Sequence, residues 1–153
     1  MEFASIEREV YVEASPEIVF EVVSSPEHIK GWWPDDAQYE ARVGSTGHIT
    51  FGNVDEGGHL AAFTVIQEQP PRLFSFRWTQ PTGELAVEGN SLLVTFALTP
   101  SGSGTMVRMT ETGFREMGWE VAVLEATFND HINGWAFYLP RLAPYAATVG
   151  APA

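Results

Sequence analysis

GWEVAVLEATFNDHINGWAFYLPRLAPY, residues Gly118 to Tyr145, is the stretch that decides the fold. Its apolar positions Val121, Leu124, Phe128, Trp135, Leu139 and Leu142 follow one another in steps of three, four, seven, four and three. Those steps trace one face of a long helix, and the step of seven spans His131, a histidine inside the apolar stripe. Glu120, Glu125, Asn129 and Asp130 fall mainly off that face, toward water. Gly134 costs a helix interior about 1 kcal/mol relative to alanine. Pro140 removes a backbone hydrogen bond and crowds the preceding turn, so a kink is expected there and fraying beyond Pro144. So long a stripe needs a broad partner surface, and the residues before it read mostly as strands.

The first of those strands is Ile6 to Glu13, with Ile6, Arg8, Val10 and Val12 on one face and Glu7, Glu9, Tyr11 and Glu13 on the other. Ser15-Pro16 and Ser25-Pro26 are two helix starts, each a capping serine followed by a proline suited to the first turn. Gly31 stops the second short helix, and Trp32-Trp33-Pro34 follows, with one indole expected in the core and the other at an opening. Alternation then predicts strands over Tyr39 to Val43, His48 to Phe51, Leu60 to Gln67, Phe74 to Trp78, Leu92 to Leu98 and Val107 to Glu111. Turns separate them, including a hairpin loop at Asn53 to Gly58 and a polar loop from Gln80 to Asn90. No helices intervene, which indicates an antiparallel sheet. A single domain over 1–147 is expected, with 148–153 as a disordered tail.

Composition narrows the function classes. Eight basic residues against twenty acidic ones give a formal net charge of −12, which opposes binding to nucleic acid or to an acidic membrane. There is no cysteine, hence no disulfide, thiolate nucleophile or zinc–thiolate site. Met1 to Val10 carries Glu2, Glu7, Arg8 and Glu9, a pattern not expected of a signal peptide, and no apolar run approaches the ~20 residues that cross a bilayer. A cytoplasmic location is the expectation.

The order is strand, two short helices, about six strands and a long helix, a helix-grip α+β arrangement. Several motifs accompany it. They are Arg8 with Ala14-x-Pro16, Val19-Phe20, Pro26 followed by Trp32-Trp33, Gly44, Pro70 before a strand ending in Trp78, Thr105 before Glu111-x-Gly113-Phe114, and Gly134-Trp135 with Leu139, Leu142 and Tyr145. Together they resemble the AHSA-type branch of the START-like, or SRPBCC, superfamily, whose namesake activates the ATPase of heat-shock protein 90. The resemblance implies an antiparallel sheet of six to seven strands curved around the C-terminal helix, with a cavity between them often used for apolar ligands. It does not imply one reaction, since the superfamily holds carriers, cyclases and co-chaperones.

Two polar residues on inward faces are the candidates for chemistry. His131 is either a core histidine satisfied by one hydrogen bond or a polar point in a ligand cavity. Glu111 shares the inward face of its strand with Val107 and Met109, and a buried carboxylate needs a partner. Arg8, also inward on a strand expected to neighbour it, is the expected partner in a structural pair. His28, His48 and His59 show no metal-ligand spacing, and no metal or cofactor is expected. No Gly-x-Ser-x-Gly motif occurs. Trp33, Phe51, Phe76, Trp78, Phe96, Met109, Phe128 and Trp135 complete the expected ligand-binding set with Glu111 and His131. These rings either fill a core or line a cavity.

The function expected is binding of a small apolar or aromatic molecule between sheet and helix, not catalysis. One alternative is a protein-interaction module like the co-chaperone, with a chaperone, another protein or a second copy of the chain as partner and an exposed apolar patch near Trp32-Trp33. Another is a cyclase or hydrolase using Glu111 and His131.

Overall fold

The computed structural model describes residues 3–52, 58–79 and 85–150. Seven strands, β1 (Ser5–Val12), β2 (Asp36–Gln38), β3 (Thr46–Phe51), β4 (His59–Gln69), β5 (Leu73–Thr79), β6 (Leu92–Ser101) and β7 (Gly104–Thr112), form one antiparallel sheet in the order β1-β7-β6-β5-β4-β3-β2. β1 and β7 bring the two ends of the strand region together, with Ile6 opposite Glu111 and Arg8 opposite Met109. A bulge between Val65 and Gln67 in β4 bends the sheet locally.

Between β1 and β2 lie α1 (Pro16–Ser24) and α2 (Pro26–Ile29). Ser15 caps α1 by accepting from the Ile18 backbone N–H at 3.3 Å, and both helices begin at proline, where no N–H partner is required. Val19, Phe20, Val22 and Val23 bury one face of α1.

The C-terminal stripe forms α3 (Val121–Tyr138), a 3-10 turn (Leu139–Arg141) and α4 (Leu142–Gly150). The break falls at Pro140, as its missing donor requires. The expected fraying does not occur: Pro144 sits in the first turn of α4, where its missing N–H costs little, and Leu142 and Ala146 are buried beyond the break. The helix continues past Thr148 to Gly150, and 151–153 lie outside the described residues. The stripe engages only from Leu124 onward. Val121, the first residue of α3, is 71% exposed instead of inward.

Tyr39 to Val43 is a loop, not the expected strand; the strand is the shorter β2 just before it. Tyr39 turns inward instead of alternating. Its hydroxyl donates to the Ser24 carbonyl at 2.7 Å and its ring stacks on Phe63 at 4.3 Å. Beyond it Arg42 and Ser45 close a turn. At the β2–β3 crossing a Cβ on Gly47 would lie 1.9 Å from the Gln38 carbonyl, so only glycine fits. The hairpin expected at Asn53 to Gly58 and the start of the loop at Gln80 fall largely on 53–57 and 80–84, outside the described residues.

Both tryptophans of the Trp32-Trp33 pair are buried, Trp32 wholly in the core and Trp33 at the border of an opening, as expected. The Trp32 indole donates to the Val22 carbonyl at 3.0 Å. Trp33 lies among Trp135, Trp78, Phe76 and Phe51, with ring centroids 5.0, 5.1, 5.6 and 5.7 Å away. The exposed apolar patch expected there in the interaction reading is not present at these two residues. Among the described residues no helix is long and apolar enough to cross a membrane.

Candidate functional site

The site is organised by Glu111. It follows Val107 and Met109 at two-residue steps on β7, so the pleat turns its side chain into the core, where it is 0% exposed. An isolated carboxylate there would be very costly, and hydrogen bonds offset the cost. Trp78 of β5 donates its indole N–H to Oε2 at 2.8 Å. Trp135 of α3 donates its own to Oε1 at 2.9 Å. His131 meets the same Oε1 through Nδ1 at 2.8 Å. His131 and Trp135 are four residues apart on a helix, so they stand one above the other and converge on one oxygen. A carboxylate only accepts, so the Nδ1 hydrogen points to Glu111.

This arrangement replaces the expected pair with Arg8. Arg8 is exposed and donates to the Glu7 carbonyl at 2.6 Å. The alternation placed it on the correct face, but Ile6, not Arg8, lies opposite Glu111. Three N–H donors already satisfy the carboxylate, and burying a guanidinium as well would cost more desolvation than the contact returns.

Burial pulls the pKa of His131 down, but the hydrogen bond and charge of Glu111, with a smaller contribution from Asp130, more than offset it, and the net shift is upward. The imidazole is 19% exposed, so one edge reaches open space.

That space consists of two clefts. The larger, about 640 Å³, has Trp78, Thr79, Gly89, Asn90 and Leu92 on the sheet side and Met117, Trp119, Thr127, Asp130 and His131 on the helix side. The smaller, about 180 Å³, is bordered by Trp33, Phe51, His59, Gly134, Trp135 and Tyr138. Trp78, Asp130 and His131 border both. The Trp78 and His131 rings lie 5.3 Å apart.

Of the residues expected to bind a ligand, Trp33, Phe51, Trp78, His131 and Trp135 border a cleft. Phe76, Phe96 and Met109 do not; they are fully buried, and rings such as Phe63 and Phe76, stacked at 4.3 Å, fill the space a deep cavity would need. Phe128 packs instead on Phe114 and Phe3, at 5.0 and 5.4 Å. Glu111 lies behind the wall, not on it. Met117, Trp119, Asn90, Thr127 and Asp130 were not anticipated. Trp119 follows the αL glycine Gly118, and a large ring after such a turn was the signal available. Among the described residues no group of three metal-ligating side chains converges.

A seven-strand antiparallel sheet closed by a C-terminal helix, with two short helices after the first strand, is the helix-grip class of the START-like fold. The family model described as Activator of Hsp90 ATPase homolog 1-like protein matches residues 13–147, and the chain belongs to that family. Comparison with curated proteins yields no match. Among solved structures it is similar to protein MLL2253 from Mesorhizobium loti, at 18% identity and a TM-score of 0.73, covering 94% of this chain and 97% of that one. The Aha1 dimer from Colwellia psychrerythraea is similar at 24% identity and a TM-score of 0.64, over 95% and 96% of the two chains. DynU16, a protein in the dynemicin biosynthetic locus, matches at 21% identity and a TM-score of 0.71, over 95% of this chain and 48% of that one. At these identities the likeness is one of fold.

Proposed function

We propose that the chain binds a small, largely aromatic molecule in the larger cleft, at the end of the sheet beside His131. The observation that supports this is the cleft itself: about 640 Å³ with Trp78, Trp119, Met117 and Leu92 as apolar walls and a few polar groups among them. Its size falls within the range of small-molecule sites, and Thr79, Asn90, Thr127, Asp130 and His131 supply the polar groups that would orient a ligand. Aromatic packing narrows the rest of the sheet–helix interface to the smaller cleft of about 180 Å³, which favours the larger cleft at the end of the grip as the ligand's place. Glu111 supports this site from behind by fixing the imidazole and both indoles. With its oxygens buried and hydrogen-bonded, it does not reach a substrate, which disfavours the cyclase or hydrolase reading in which it is acid or base.

The test is titration with a neutral apolar fluorophore such as N-phenylnaphthylamine. Saturable one-site binding is expected, with quenching of tryptophan emission. The cleft-filling variant Thr127→Trp should abolish it without loss of the folded near-ultraviolet circular dichroism. Equal binding by wild type and Thr127→Trp, or no saturable binding, would overturn the reading.

A further inference from the structure

The way Glu111 holds His131 determines what the cleft can offer a ligand. Nδ1 is committed to Oε1, so Nε2 is the ring nitrogen left for the open edge of the imidazole. The neighbouring carboxylate holds the imidazole pKa above its usual 6.5 against the opposing effect of burial, so in mildly acidic solution the ring is charged and Nε2–H is a donor. Asp130 also borders both clefts and is exposed. The positive imidazole and Glu111 cancel, so Asp130 leaves the cleft with a surplus of negative charge. The chain as a whole carries −12. Among the described residues, His59 and Tyr138 are the other titratable side chains bordering these clefts, both in the smaller one.

We propose that the larger cleft selects planar aromatic molecules that are neutral and carry a hydrogen-bond acceptor. The ring lies against Trp78 and Trp119, and the acceptor meets Nε2–H of His131. This rests on the reading of the cleft as a ligand site. A hydrocarbon of the same shape would strip water from the imidazole edge without replacing its hydrogen bond. An aromatic carboxylate would satisfy the donor but bring its charge beside Asp130, with the positive charge of His131 already neutralised by Glu111.

Three probes of one ring system separate these cases: naphthalene, acetonaphthone and naphthoate, titrated by calorimetry at about pH 6, below the ordinary histidine pKa, and at low salt. The indole N–H resonances of Trp78 and Trp119 report the location. Acetonaphthone is expected to bind at least ~10-fold more tightly than either of the others. His131→Leu should remove that preference while naphthalene still binds. Asp130→Asn, at an exposed position that leaves the core untouched, should raise naphthoate affinity severalfold whether or not the His131 variant folds. Three equal affinities, naphthoate binding tightest, or a preference that survives His131→Leu would overturn the proposed selectivity while leaving the cleft a binding site. Binding by none of the three would overturn both.

Discussion

Replacing Glu111 by leucine tests the centre of the structure. The substitution puts an apolar side chain of similar bulk in place of the carboxylate and removes the acceptor of three N–H groups. Trp135 is 3% exposed, so its indole N–H would be left buried without a partner, at about 1–3 kcal/mol. Trp78 is half-buried and loses less, since water at the cleft can reach it. His131, at 19% exposure, can turn to water and lose its proton, which avoids stranding a buried charge. Against these losses stands the desolvation of the carboxylate, which leucine no longer bears. The net expectation is a loss of about 3 kcal/mol, or roughly 6–12 °C in melting temperature for a domain of this size. Urea unfolding followed by tryptophan emission and by far-ultraviolet circular dichroism would measure it. Coincident transitions with an unchanged slope would confirm that native stability, not the denatured state, has changed. A second arm isolates one bond: Trp135→Phe should cost less in the Glu111→Leu background than in the wild type. A Glu111→Leu protein as stable as the wild type would refute the argument that these donors depend on the carboxylate.

The raised pKa of His131 has a defined consequence for stability. A group whose folded pKa lies above its unfolded value near 6.5 stabilises the fold fully below that value and loses the contribution as pH rises through the folded pKa. The stability difference between the wild type and His131→Gln should therefore be largest in mildly acidic solution and shrink on going alkaline; a difference that grows with pH would contradict the ion pair. Trp135→Ala should cost at least about 3–5 kcal/mol, because the ring is packed core stacked on Trp33, and chemical denaturation would show it. Gly47→Ala should destabilise by about 1–3 kcal/mol as the new methyl meets the Gln38 carbonyl, and amide exchange in β2 and β3 should accelerate with it. Phe137→Ser, at a position 64% exposed, should change stability by no more than about 0.5 kcal/mol in the same assay.

Much of the fold was legible because two periods carry it. Steps of three and four placed Leu124, Trp135, Leu139 and Leu142 on one buried face. Steps of two turned Phe74, Phe76, Val94, Phe96, Val107 and Met109 inward. Periodicity failed where a single contact outweighed it. Tyr39 left its apparent strand because its ring found Phe63 and its hydroxyl found the Ser24 carbonyl. Val121 kept the phase of the stripe but sits in the first turn, exposed. The site was half legible. Alternation showed that Glu111 is inward and needs partners, and the helical stripe did the same for His131. Which partners was not readable, because alternation fixes a face and not a register. The tryptophans also read as apolar rings, although each carries one donor.

The indole donors explain how the core is built. Trp78 and Trp135 are amphipathic, so a core made largely of rings still needed an acceptor where two N–H groups converge. Arginine could not fill that need, having no acceptor, and a neutral hydroxyl would serve the two indoles poorly and His131 hardly at all. A carboxylate serves all three, at the cost of a buried negative charge that a histidine at the same oxygen then offsets. The same histidine reaches both clefts with its remaining edge. Structural demand at the back of the site and donor chemistry at its front are thus one arrangement. Changing Glu111 should accordingly disturb ligand recognition even though its own oxygens never touch the ligand. In a Glu111→Gln protein that remains folded, the preference for acceptor-bearing probes should weaken, because a neutral amide no longer favours the charged imidazole. Unchanged selectivity in that protein would show that His131 acts without it.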